Sequence, residues 1–312
     1  MTTKMMQTVR VHQYGGLEEL QLEQIAIPQP ADNEILIRVH SVGVLPVDWA
    51  YREGLMKDIY PMQFPFISGS ALSGVVEEVG KGVFGFHQGQ AVFGRADRGA
   101  CAEYITTKVD KIYKKPDGLS FEEAATISGG ASTAWVALFE NGKLLSGQRV
   151  LIHAAAGGVG SAAVQLAKWK GAEVIGTCSA ANVEYAQSLG ADTVIDYKTM
   201  AFEKEVQEVD LVLDAVGGNT LERSFSVVKR GGKLLSIAEV PSLKKAEQLG
   251  IHAQFSGGFA PDKAFETIAQ LITEGKMKST IAKEFPLHEI RAAHELCQTG
   301  HGRGRIILRV GN

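Results

Sequence analysis

The amino-acid sequence predicts an α/β chain of two domains, with a doubly wound parallel sheet in the middle and a β-rich domain assembled from the two ends. Three observations predict it. Short strand-like runs punctuated by Gly and Pro fill the first third, apolar runs alternate with amphipathic helical stretches from Arg149 onward, and a glycine-rich turn joins the first such run to its helix. At 312 residues the chain also exceeds one ordinary domain.

In chain order, strands are expected at residues 9–14, 34–42, 73–79, 90–93 and 101–106, a spacing that suits an antiparallel barrel or a sandwich. The rhythm then changes. Apolar strands at 150–154, 173–178, 193–197, 209–216 and 231–237, with helices at 159–172 and 182–191, read as parallel βαβ units buried on both faces. Residues 255–259 mark the end of this region, and a helix at 261–275 sets Phe265, Ile268, Ala269, Leu271 and Ile272 on one side. The remaining helix at 287–299 and strand at 305–310 are too little for a domain, so they return to complete the β-rich one. The expected division is 1–127 with 259–312, and 128–258.

Composition narrows the function classes. With 32 Lys and Arg against 35 Asp and Glu, the formal charge of −3 excludes a dedicated nucleic-acid binder. Cys101, Cys178 and Cys297 stand far apart, without a C-x-x-C pair, which removes a disulfide framework and the usual cysteine zinc spacings. No signal peptide and no membrane span is expected, and a cytoplasmic location fits.

The strongest local signal is Ala155-x-Gly157-x-x-Gly160, set between a strand and a helix as a dinucleotide fingerprint requires. Residues Ala156, Gly157, Gly158, Val159 and Gly160 are the expected pyrophosphate cradle: glycines let the backbone approach, and the helix start offers unpaired N–H groups. The competing reading is a tight turn with no ligand. A carboxylate that would repel a 2′-phosphate is missing at the end of the second strand, where the run Gly176 to Asn182 reaches no acid before Glu184. NADP is therefore favoured. Ser179, Asn182 and Tyr197 are its expected neutral contacts, Lys198 is the nearby cation, and Asn182 suits helix capping equally well. Ala215, Val216 and Gly217, after a further strand, are candidates for the wall beside ribose and nicotinamide.

Two patterns are set aside. Tyr104 and Lys108 have Tyr-x-x-x-Lys spacing but fall on an expected strand, where they form no i, i+4 helix pair. His153, His294 and His301 show no metal-ligand spacing.

Further motifs run through the chain: Gly43-Val44-Leu45-Pro46-Val47-Asp48 with Arg52-Glu53-Gly54, Pro65-Phe66-Ile67-Ser68-Gly69, Gly89 to Gly94, Ala131 to Trp135, Ser188 to Asp192, and Gly302 to Leu308. With the central Ala-Ala-Ala-Gly-Gly-Val-Gly turn, they resemble the medium-chain dehydrogenase/reductases, specifically the zinc-free quinone oxidoreductase (zeta-crystallin-like) branch. The resemblance implies a GroES-like barrel beside a Rossmann domain and hydride transfer from NADPH to a quinone or an α,β-unsaturated carbonyl. It also implies Leu45, Pro46 and Thr133 facing the nicotinamide, Arg305 near the pyrophosphate, and a homodimer or homotetramer. Zinc-using relatives need Cys at Leu45 and Gly-His-Glu where Gly69-Ser70-Ala71 stands, so no metal is expected. The branch commonly carries Asn at Leu45 and Asp at Ala71, and this chain departs from it at both.

Tyr51 and Tyr60 border the expected substrate cleft as candidate donors to a developing oxyanion, and packing at a domain interface is the alternative for each. An alkenal reductase, which the segment Ser179 to Tyr197 also resembles, and a non-catalytic NADPH-binding sensor or structural protein stay open as alternative readings.

Overall fold

The computed structural model describes residues 4–97, 99–300 and 302–311. His301 therefore lies outside the described residues. The middle of the chain forms a six-stranded sheet in the spatial order Thr193–Asp196, Glu173–Cys178, Arg149–Ile152, Val209–Asp214, Val228–Ser236, His252–Phe255. All neighbours are parallel. Chain order reverses between Arg149–Ile152 and Val209–Asp214, which opens a crevice beyond the carboxyl ends of those two strands. Their apolar runs are buried on both faces because helices cover each side, as at Gly160–Lys170.

The other unit is built on Glu34–Val44, which pairs antiparallel with Ala71–Val79 on one side and with Tyr104–Lys108 and Arg305–Arg309 on the other. Arg305–Arg309 pairs in turn with Ile281–Pro286, so the C-terminal segment does return into the N-terminal sheet. A separate three-stranded sheet joins Gln21–Ala26, Met5–Val11 and Phe66–Ile67. This is the architecture of a GroES-like domain beside a Rossmann domain.

The strand expected at 9–14 runs instead from Met5 to Val11, and that expected at 101–106 from Tyr104 to Lys108. Helix Asp262–Thr273 buries the five apolar residues expected of it, together with Phe93, Leu119 and Ala124 from the β-rich side and Val150 and Ile152 from the parallel sheet. It is thus a seam between the units. No helix among the described residues is long and apolar enough to cross a membrane.

Candidate functional site

The glycine turn follows Arg149–Ile152 and ends in helix Gly160–Lys170. Ala154 takes a left-handed conformation, φ 53°, which costs a residue with a Cβ about 1–2 kcal/mol. Its carbonyl accepts the Gly157 N–H at 2.9 Å, closing the turn. A Cβ on Gly160 would sit 2.1 Å from that same oxygen, so the last glycine is required by the turn itself. Gly157 differs. Among the described residues a Cβ there would meet only the Ala154 oxygen, at 3.3 Å, so none of them demands the space left open.

Arg305 lies under the turn. Its guanidinium is buried, Nη2 donates to the Gly129 carbonyl, and Nε has no hydrogen-bond partner among the described residues. Side chains on Gly130 or Gly158 would come within 2.7 Å and 2.8 Å of that Nε, so two glycines from different segments make room for one arginine. Burial lowers its pKa to about 10, which leaves it charged at neutral pH. A buried cation with an unpaired N–H, beside a helix N-terminus and an open glycine, suits the pyrophosphate of a dinucleotide. The returning segment is bonded here too: Gly304 N–H donates to the Ala156 carbonyl at 3.1 Å, and Gly157 and Gly304 form a parallel bridge.

Gly129, at φ 71°, gathers the nicotinamide-side candidates. Its N–H donates to Ser132 Oγ at 3.0 Å, next to half-buried Thr133, and the Leu45 side chain fills the place its own Cβ would take. Leu45 precedes helix Pro46–Arg52, where exposed Pro46 takes the first position that suits a residue without an N–H. The Leu45 N–H donates to Asp48 Oδ2 at 2.8 Å. Burial raises the Asp48 pKa to about 7, opposed by that bond and by Arg95 and Arg305. Sequence reading passed over Asp48 as a functional group.

At the end of Glu173–Cys178 the structure adds a residue that the sequence did not point to. Arg303 is a cation here besides the expected Lys198: its Nε donates to Asn182 Oδ1 at 2.7 Å, and its Nη2 to the Ala181 carbonyl. Its guanidinium lies 5.4 Å from the centre of the Tyr185 ring. Asn182 makes no side-chain cap to helix Val183–Ser188 and donates instead to Ser179 Oγ at 3.3 Å. Tyr197 is exposed, and its N–H donates to the Cys178 carbonyl at 3.2 Å. Asp196 stands in register beside Cys178, but its oxygens accept from Lys198 N–H and Thr199 Oγ1.

Across the crevice, buried Asp214 accepts from the N–H groups of Val216 and Gly217 and from Ser236 Oγ. Those amides point inward, so of this stretch only the half-buried Ala215 and the exposed Val216 side chain are free to form a wall. Tyr51 and Tyr60 meet edge to face at 6.3 Å, Tyr51 half-buried and Tyr60 exposed. Burial pushes the Tyr51 phenol up, keeping it protonated and able to donate. Tyr104 and Lys108 share a strand. His153 is held by Thr177 and Ser224, and His294 by Arg52. No three His, Cys, Asp or Glu side chains converge to hold a metal among the described residues. Leu45, Ser70 and Ala71 offer no zinc ligand set.

The models of two families match: the alcohol dehydrogenase GroES-like domain over residues 31–131, and zinc-binding dehydrogenase over residues 189–308. A chloroplastic quinone-oxidoreductase homolog of Spinacia oleracea is 31% identical, covering 99% of both chains. The chain belongs to the medium-chain dehydrogenase/reductase family. The human quinone oxidoreductase is 30% identical over 98% of each chain. Among solved structures, quinone oxidoreductase from Coxiella burnetii superposes with TM-score 0.90 at 33% identity, covering 99% of this chain and 100% of that one. The Escherichia coli quinone oxidoreductase complexed with NADPH superposes with TM-score 0.88 at 28% identity, covering 97% and 99%. This protein is an oxidoreductase of the quinone oxidoreductase type.

Proposed function

We propose that the protein is an NADPH-dependent reductase of quinones or α,β-unsaturated carbonyls that works without zinc. One observation carries the reading: an open glycine over a buried, partly unpaired Arg305 at the crevice of a Rossmann sheet. Two structural relatives, from E. coli and a mycobacterium, were solved with NADPH, which supports the same cofactor here. In this reading residues 128–258 hold the dinucleotide, and 1–127 with 259–312 supply the acceptor side. Ala156 to Gly160 and Arg305 receive the pyrophosphate. Ser179, Asn182 and Tyr197, with Arg303, receive the 2′-phosphate. Leu45, Pro46 and Thr133 flank the nicotinamide, with Ala215 and Val216 opposite, while Gly217 is held back by Asp214.

NADPH supplies a hydride equivalent when bound. The chain's own part is to bind, to keep the cleft dry and to hold donors where negative charge develops on the acceptor oxygen. Tyr51 and Tyr60 are the proposed donors. Quinones and enones suit a site lacking a Lewis acid, because their reduced forms spread charge over an enolate or a hydroquinone.

The test is steady-state oxidation of NADPH and NADH with a panel of quinones, enals and enones, a metal chelator being present throughout. Turnover that prefers NADPH and survives the chelator is expected. The best acceptor chooses between quinone and alkenal reductase. NADPH binding without turnover would overturn the catalytic reading in favour of a sensor or structural role.

A further inference from the structure

Arg95 closes strand Ala91–Arg95 directly opposite Ala71, which is itself opposite Gly43. Neighbouring strands lie about 4.8 Å apart, so Arg95 stands roughly 10 Å from the backbone that leads into Leu45. Ala71 is also the position where zinc-using relatives place their glutamate, so this row of the sheet crosses the reaction zone. Phe93 and Arg95, two residues apart, share a face of the strand. Phe93 is buried in the same apolar cluster as Ile152 of the parallel sheet, so that face looks toward the dinucleotide domain.

The guanidinium has no hydrogen bond and no ion pair among the described residues, and its one contact of note is aromatic. It lies 5.5 Å from the centre of the exposed Phe259 ring, which comes from the connection after the sixth strand of the parallel sheet. Lys111 Nζ lies 4.6 Å from the same ring, and Lys111 is paired with Asp97 at 3.8 Å, whereas Arg95 has no such partner. Arg95 is also close enough to Asp48 and Tyr51 to oppose the rise of both their pKa values. An arginine braced on an aromatic ring from the connection that leaves the parallel sheet, with its donors free, is built to take a planar anion in two parallel bonds.

We propose that Arg95, braced on Phe259, is the subsite for an anionic substituent of the acceptor, and that the physiological acceptor is a carboxylate-bearing quinone or enone. The inference deepens the reductase reading and rests on it for the identity of the acceptor.

The experiment compares matched pairs on the purified full chain: carboxylated naphthoquinone and 4-oxo-2-alkenoates of two chain lengths, each against its methyl ester, with a phosphonate analogue as a third arm. Both kcat/KM and direct calorimetric binding of the saturated 4-oxoalkanoate to the NADP⁺-loaded protein are read. The acid is expected to exceed the ester by about 10- to 100-fold, as for a charge-assisted contact. Arg95→Gln should bring that ratio to about one, and Arg95→Lys should restore part of it. Preference for the phosphonate over the carboxylate would keep the subsite and assign it to a phosphate group. An acid-to-ester ratio near one in every pair, or one unchanged in Arg95→Gln, would overturn the proposal while leaving the reductase intact. If no acceptor is reduced, the reductase reading falls, and the calorimetric titration still decides Arg95.

Discussion

The two ends of the cleft are built on opposite principles. At the glycine turn almost every group is committed: Ala154 closes on Gly157, Gly160 packs on Ala154, Gly304 bonds Ala156, and Gly130 and Gly158 bracket Arg305. At the proposed acceptor end Leu55, Ile59, Tyr60 and Phe259 are exposed, and the Tyr51 and Tyr60 phenols have no hydrogen-bond partner among the described residues. On the proposed reading the turn receives a diphosphate, a fixed chemical group, and it is built from backbone. The acceptor side is built from side chains on short segments, which can change without disturbing the fold.

The sharpest way to break this contrast is within the turn. Gly157→Val should abolish NADPH binding with little change in Tm, because its Cβ enters only the open cradle, whereas Gly160→Ala should lower Tm directly. Fluorescence titration and thermal unfolding read the two; unchanged binding in Gly157→Val would make the turn purely structural. Next, Arg305→Met should weaken NADPH and NADH alike, by about 100-fold, and hold or raise Tm, since it removes a buried cation with an unpaired N–H. A loss confined to NADPH would move Arg305 to the 2′-phosphate.

Smaller effects should separate the cofactors. Arg303→Ala is expected to cost NADPH about 10-fold and NADH little, and Ser179→Asp should act in the same direction by placing a carboxylate beside the phosphate. Equal effects on both cofactors would remove these residues from that subsite.

On the acceptor side, buried Arg52 donates to His294 Nδ1 at 3.1 Å and ties helix Pro46–Arg52 to helix Ile290–Gln298. Burial and then Arg52 lower the His294 pKa to about 3, against 6.5 for an ordinary histidine. The unfolded chain therefore binds a proton more readily, and this contribution to stability, present above pH 6.5, falls as pH drops toward 3. The Tm difference between pH 8 and pH 5 should shrink in His294→Asn; an unchanged difference would exonerate His294. The smallest effect expected is in Tyr51→Phe, a several-fold fall in kcat with KM for NADPH unmoved, and a fall confined to KM would leave Tyr51 a packing residue.

Legibility in the sequence follows the same divide. The parallel sheet was readable because its strands are apolar on both faces, and the turn because its glycines sit between a strand and a helix. Strand His252–Phe255 was missed because it lies at the sheet edge and is largely exposed, and Ile281–Pro286 because Lys283 and Glu284 hide its period. Helix Pro46–Arg52 did have a signal, a proline at its first position. Arg303 did not, because it reaches Asn182 only through the return of the C-terminal segment. Arg95 becomes notable only through register, which sets it opposite Ala71 and in one row with Gly43 on the strand beyond.

The Gly157–Gly304 bridge joins the phosphate turn of one domain to the segment that begins the last strand of the other. On the proposed reading, a cofactor seated on this turn touches both domains where the chain already joins them, so its binding should raise their unfolding temperatures together.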